Sequence, residues 1–169
     1  MTENLENARM LLRHVVATLA YRAAKVLRDV PPSFARFSSG PNTRLPVQIL
    51  EHLGDLMAWG LRMAQGEYLW RAQGSGDWNT EVRRFFEGLR ALDQFLASDA
   101  PLGNPAEMLI QGPLADALTH VGQLAMLRGA AGIPVRPESY AQAEIAAGRV
   151  ELDQAPPVRE FDGDASARG

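Results

Sequence analysis

The chain has 169 residues, of which 46% are hydrophobic and 22% charged, as in ordinary globular proteins. Its formal net charge of -3 leaves no basic footprint, so we expect no nucleic-acid partner. The absence of cysteine excludes disulfides, thiolate metal ligands and a cysteine nucleophile within this chain.

Four stretches place apolar residues at helical spacing. They predict helices over residues 3–29, 45–65, 78–98 and 112–130. Pro31 and Pro32 end the first helix, while Pro46 is compatible with the first turn of the second. Pro134 and Pro137 prevent the fourth from continuing.

The remaining segments predict little regular structure. PAEMLI predicts one helical turn before the fourth helix, and PESYAQAEIAAG predicts a short helix after it. The last residues, RVELDQAPPVREFDGDASARG, predict an extended and then frayed tail. We find no internal repeat and no strand pattern. The sequence therefore predicts an all-α four-helix bundle over residues 1–135, followed by a short C-terminal extension over residues 136–169.

Two sequence features bear on location. No apolar run reaches the roughly 18 to 20 residues that span a bilayer. The polar start, MTENLENARM, does not resemble a secretory signal. We therefore expect a cytoplasmic protein with no membrane partner.

The chain has three histidines, and two of them lie at the border of a predicted apolar helix face. His52 lies there on the second helix, and Asp116, His120 and Gln123 lie together at the same kind of border on the fourth. Because Asp116 and His120 are four residues apart, they share one helix face and can bind one ion. With His52 they predict a divalent metal site that leaves positions open for water or substrate, with Gln123 orienting a ligand. The third histidine, His14, is predicted at the surface or at a pocket rim.

The same residues also allow a purely structural interpretation. Asp116 then serves as a first-turn carboxylate favoured by the helix dipole, and His120 as a buried, hydrogen-bonded histidine. Glu51 and Asp55 are alternative carboxylates on the second helix. Asp55 is turned about 60° around that helix from the histidine, which places it outside the ligand set.

An aromatic group surrounds the end of the second helix and the connection after it. These residues predict a pocket mouth or a dimer surface, but their size favours ordinary packing, since aromatic side chains dominate core burial. They are Trp59, Tyr68, Trp70 and Trp78.

Two segments resemble a known family. ILEHLGDLMAW on the second helix and DALTHVGQLAMLRGAAGIPV on the fourth resemble the DinB/YfiT-like family of small four-helix bundles. The strongest local match is the His-x-Gly-Gln run from His120 to Gln123, and the resemblance spans most of residues 5–135. The closing ESYAQAEIAAGRVELDQAPPVREFD is similar to the tail of a bacterial subgroup of that family.

The resemblance implies a metal site. Family members hold a divalent ion, often zinc or nickel, with one histidine on helix two and a His-x-x-x-His pair on helix four. By position, the ligands here are His52, Asp116 and His120. The chain departs from the pattern at Asp116, where a carboxylate favours a harder ion such as manganese, iron or zinc.

The resemblance also implies a reaction class. Characterised relatives include metal-dependent transferases that use low-molecular-weight thiols, and a thiol-dependent isomerase. The implied function is a thiol-using transferase acting on a small molecule, or a hydrolase that uses metal-bound water. The alternative is a non-catalytic, stress-related binding module on the same bundle. No residue is assigned a catalytic or thiol-binding role, and a homodimer is compatible with the family.

Overall fold

The computed structural model describes residues 2–161, with side chains from residue 6 onward. Its four long helices are α1 (Thr2–Leu27), α2 (Pro46–Ala64), α3 (Trp78–Ala97) and α4 (Ala115–Ala130). Over these residues there is no strand, and only one isolated bridge pairs Glu138 with Glu160. No helix in this part of the chain is long and apolar enough to cross a membrane. The predicted all-α helical bundle is confirmed.

The packing order of the helices differs from their order in the chain. α2 packs against α3 and α4, and α1 packs against the same two helices, so α1 and α2 lie on one diagonal. α2 and α3 run parallel, because Gly54 lies beside Arg84 and Gly60 lies beside Leu92. The link over residues 65–77 therefore returns along the bundle before α3 begins.

The other two helices run in the opposite direction. Arg9, near the start of α1, donates a hydrogen bond to the Leu96 carbonyl at the end of α3, so these helices are antiparallel. Arg128, near the end of α4, donates to the Val26 carbonyl at the end of α1, so these two are parallel. α4 consequently lies antiparallel to α2, and the first half of α4 faces the middle of α2.

The core is filled mainly by leucine side chains, and burying each contributes about 1.5–3 kcal/mol. α4 contributes Ala117, Val121 and Leu124 to this core. The largest fully buried side chains are Leu12, Leu19, Leu50, Leu53, Leu56, Met57, Met63, Phe85, Leu89, Leu92, Leu96 and Leu109.

The start of α4 differs from the prediction at residue 112. A short helical turn, Ala106–Leu109, continues into a π-helical turn, Ile110–Leu114, and α4 begins at Ala115. Gly112 departs from helical geometry, with φ -89° and ψ -105°, just before Pro113. Since proline lacks the backbone N–H and crowds the preceding turn, a regular helix cannot run through this point.

Of the short helix predicted between Pro137 and Gly148, the structure has a single 3₁₀ turn, Tyr140–Gln142. The side chain of Glu138 is buried and forms a 2.7 Å ion pair with Lys25 of α1. This attachment holds the segment extended against the bundle, where a helix would carry the carboxylate elsewhere. The predicted frayed end over residues 162–169 lies outside the described residues.

Candidate metal centre

The middle of α2 and the first half of α4 bring His52, Asp116 and His120 together. Their ligand atoms all lie within 4.8 Å of one another, and no other such group of three occurs among the described residues. Asp116 lies between the two histidines: Oδ2 is 3.3 Å from Nε2 of His52, and Oδ1 is 3.3 Å from Nε2 of His120. The two imidazole rings meet edge to face, with centroids 4.7 Å apart. The structure thus brings together the three residues that the sequence singled out.

The three side chains differ in exposure. The side chain of His120 is 10% exposed, that of His52 23% and that of Asp116 46%. The cluster therefore opens to solvent on the carboxylate side, and the two histidines form its inner wall. A cation can reach the group from solvent without any helix moving.

Gln123 sets the tautomer of His120. Nδ1 of His120 donates a hydrogen bond to Oε1 of Gln123 over 2.7 Å, which leaves the lone pair on Nε2. That lone pair faces the oxygen of Asp116 at 3.3 Å. Two acceptors that face each other require a cation between them, either a proton or a metal ion. The donor set and its hydrogen bonding therefore fit a divalent ion.

Burial lowers the pKa of His52, and the neighbouring His120 lowers it further. The hydrogen bond and negative charge of Asp116 oppose this shift without cancelling it. His52 is therefore neutral at neutral pH, which is the form of imidazole that binds metals.

A cavity of about 520 Å³ adjoins the cluster. His52, Asp116 and His120 line it together with Ile49, Leu127 and other residues of the loop before α2 and of α4. Its size is typical of pockets for small molecules. The candidate ligands therefore face a space large enough for a substrate.

The link over residues 65–77 places an aromatic ring against His52 of the candidate centre. The Trp70 ring lies 5.4 Å from that of His52, between centroids, and packs edge-on against Trp59 at 5.8 Å. The Tyr68 ring also packs edge-on against Trp59, with the ring centroids 5.8 Å apart. The fourth aromatic residue of the predicted group, Trp78, packs elsewhere. It contacts Phe34.

The alternative carboxylates of α2 are engaged away from the cluster. Asp55 accepts hydrogen bonds from Arg84 and from the Gln73 backbone, at 2.7 and 3.0 Å. Glu51 accepts one from the backbone N–H of Gly76. Both side chains hold the link and α3 in place.

Two further residues complete the comparison with the sequence. His14 is exposed on α1, as predicted. Arg44 lines the cavity beside the cluster and was not anticipated. It lies in an irregular loop, where no helical periodicity indicates which way a residue points, so the sequence carries no signal for it.

Comparisons of the chain with models of known protein families, with curated proteins and with solved structures gave no match. The structure shows an all-α protein of four packed helices, in which a His/Asp/His group forms a candidate metal site. Its assignment to a family is a proposal and rests on the residues themselves.

Proposed function

We propose that this chain is a DinB/YfiT-like protein that binds one divalent metal ion through His52, Asp116 and His120. We further propose that it is a metal-dependent transferase, which joins a low-molecular-weight thiol to a small electrophilic substrate. The observation that carries the proposal is the convergence of three ligand atoms within 4.8 Å, on the wall of a cavity of about 520 Å³.

The donor set narrows the choice of ion. Two imidazoles and one carboxylate suit zinc, iron, manganese and nickel, and the harder oxygen ligand weakens the case for nickel relative to a three-histidine site. Three protein ligands leave at least one position open for a substrate. When bound, the ion would act as a Lewis acid and lower the pKa of a bound thiol or water to near neutrality.

Each side chain of the cluster has a separate task. Gln123 holds the imidazole of His120 in one tautomer and one orientation. Asp116 brings one negative charge, which offsets half the charge of a divalent ion. His52, held neutral by burial, completes the set from the facing helix.

The preference for a thiol over water as the nucleophile comes from the resemblance of the His120–Gln123 run. In the proposed reaction the S–H bond and the bond from the electrophilic carbon to its leaving group break, and a bond forms from sulfur to that carbon. The proton goes to solvent or to the leaving group, so no oxidant or reductant is needed. With water in place of the thiol, the same centre would be a hydrolase.

Metal titration tests the site. We expect metal-free protein, purified without a histidine tag, to bind one Co²⁺ per chain with the visible spectrum of a low-coordinate site. His52→Ala and His120→Ala should each lose this binding, whereas His14→Ala, the matched control, should keep it. Binding that is absent, or unchanged in both cluster variants, would refute the metal site.

Thiol addition tests the reaction class. We expect small thiols to produce a sulfur-to-cobalt charge-transfer band in the loaded protein, and to be consumed by an electrophile only when metal is present. Ester hydrolysis without thiol would favour a hydrolase. A loaded protein that performs neither reaction would point to a non-catalytic binding module.

A further inference from the structure

Arg44 places a positive charge at the cavity of the candidate metal centre. It is exposed in the loop before α2 and lines the same cavity as His52 and Asp116. It also lines a second, adjoining cavity of about 400 Å³. Among the side chains of residues 6–161 and the backbone that the structure describes, its guanidinium has no hydrogen-bond or ion-pair partner. Its five N–H donors are therefore free for a ligand.

The charges that line the cavity become unbalanced when a divalent ion is bound. Asp116 is the one acidic side chain among the described residues that line it, and Arg44 is the one arginine or lysine. A divalent ion held by Asp116 leaves one positive charge, and Arg44 adds another. The loaded cavity therefore favours an anionic occupant.

The wall of the cavity has a polar part and an apolar part. Beside Arg44, the loop contributes the hydroxyl groups of Ser39 and Thr43. The helices contribute Ile49 and Leu127, both buried in the core. A molecule that fits this wall has an acidic group and a hydrocarbon portion.

We infer that the substrate or thiol of this site is a small amphipathic carboxylate, whose acid group pairs with Arg44 while its hydrocarbon portion packs on Ile49 and Leu127. The inference rests on the proposed function, because it assigns the occupant of the same cavity. Guanidinium is suited to this role, since it binds both oxygens of a carboxylate in a fixed fork.

The test measures binding by calorimetry, with hexanoate and its neutral amide, hexanamide, as probes of equal length. In Co²⁺-loaded protein we expect hexanoate to bind about tenfold more tightly than hexanamide, as a charge-assisted hydrogen bond provides. Arg44→Gln should remove this difference, and Arg44→Lys should restore part of it. Arg83→Gln, which removes an exposed arginine of α3 outside the cavity, is the matched control and should leave it intact.

Two results would overturn the inference. One is a hexanoate preference that Arg44→Gln leaves unchanged, which would place the carboxylate on the metal. The other is no preference for hexanoate at all. Circular dichroism of Arg44→Gln should match the parent protein, because Arg44 is an exposed residue of an irregular loop.

The inference and the proposed function can fail separately. If Co²⁺ binds and the hexanoate preference is absent, only the inference fails. If Co²⁺ does not bind, the proposed function fails. The hexanoate preference of the parent protein, Arg44→Gln, Arg44→Lys and Arg83→Gln, measured without metal, then still tests whether Arg44 binds the carboxylate. A preference that depends on Arg44 then supports the anion site alone, and its absence rejects it.

Discussion

α2 carries two polar clusters whose central residues, His52 and Asp55, are three positions apart. The Asp55 cluster joins α2 to α3 through Arg84, and the His52 cluster joins α2 to α4 through Asp116. Both cross between helices and both contain carboxylates. They differ in whether their carboxylates pair with an arginine: the Asp55 cluster is matched in this sense and the His52 cluster is not, and that difference separates a structural contact from a candidate binding site.

In the Asp55 cluster, the carboxylates are paired with Arg84. Arg84 donates to Asp55 at 2.7 Å, to Glu81 at 2.6 Å and to the Glu51 carbonyl at 2.6 Å. Glu81 is fully buried and also accepts hydrogen bonds from the backbone and hydroxyl of Ser75. Asp55 and Glu81 each accept at least two hydrogen bonds from the chain itself, so this cluster has no need of a ligand.

The His52 cluster is not matched. Asp116 faces two imidazole nitrogens at 3.3 Å, and its carboxylate has no arginine or lysine partner among the described residues. The group is open to solvent on one side and lines a cavity on the other. A matched, sealed cluster stabilises the fold, whereas an unmatched, accessible one is suited to hold a cation.

The largest effect should come from breaking the matched cluster. Arg84→Ala leaves the carboxylates of Asp55 and Glu81 buried without their cation, and we expect it to lower the free energy of unfolding by about 3–5 kcal/mol. Urea denaturation measures this. Arg83→Ala, at the exposed neighbouring position, should change it by less than about 0.5 kcal/mol. Equal effects of the two substitutions would contradict the distinction between the clusters.

Acid should weaken the matched cluster next. Burial raises the pKa of Glu81, but hydrogen bonds from Ser75 and Arg84 outweigh it and hold the pKa below its usual value. A lowered native pKa stabilises the fold above the unfolded pKa of about 4.3, and this contribution is lost as the pH falls through the native pKa. Glu81→Gln should therefore cost stability at pH 7 and make the loss of stability below about pH 4.5 less steep. Denaturation curves from pH 7 to 3 that run parallel for the two proteins would count against this.

In the unmatched cluster, the hydrogen bond from His120 to Gln123 should set the affinity for metal. Gln123→Ala frees the imidazole to rotate, and we expect the Co²⁺ affinity to fall by about tenfold or more. The thermal stability of the metal-free protein should change little. Gln94→Ala, on the exposed face of α3, is the control. An affinity that does not change would mean that Gln123 does not orient the ligand.

The smallest effect should come from Gly122, inside the run that resembles the family. A Cβ at this position would meet nothing within 4 Å. Gly122→Ala should therefore raise the unfolding free energy by about 0.5–1 kcal/mol through helix propensity, with no change in Co²⁺ affinity. At Gly88 a Cβ would lie 2.7 Å from Cβ of Met57, so Gly88→Ala should destabilise the protein. A loss of metal binding in Gly122→Ala would show that this glycine serves the site directly.

The sequence predicts the four helices well because each has a long apolar face, which is a local signal. It places the start of α4 at residue 112, whereas α4 begins at Ala115. Pro113 lies in the π-helical turn before α4, and how that turn packs is not a local signal. It also predicts a short helix between Pro137 and Gly148, of which only the 3₁₀ turn Tyr140–Gln142 is present. Glu138 ties this segment to Lys25, a contact distant in sequence.

The sequence predicts the three residues of the candidate centre because they lie at the borders of the apolar faces of α2 and α4. Such borders meet between the helices of a bundle, which is a general rule. The surroundings of the centre could not be found this way. That α2 and α3 run parallel is a non-local result of packing. The positions of Trp70 and Arg44 depend on irregular segments, whose paths have no periodic signature.

The parallel course of α2 and α3 has a consequence for how such a protein could diversify. The link over residues 65–77 and the loop before α2 carry Trp70 and Arg44 to the rim of the centre, while the helices carry His52 and His120. Substitutions in these two irregular segments can reshape the rim without disturbing the core or the candidate ligands. Selectivity for different small molecules can therefore vary on one unchanged helical frame.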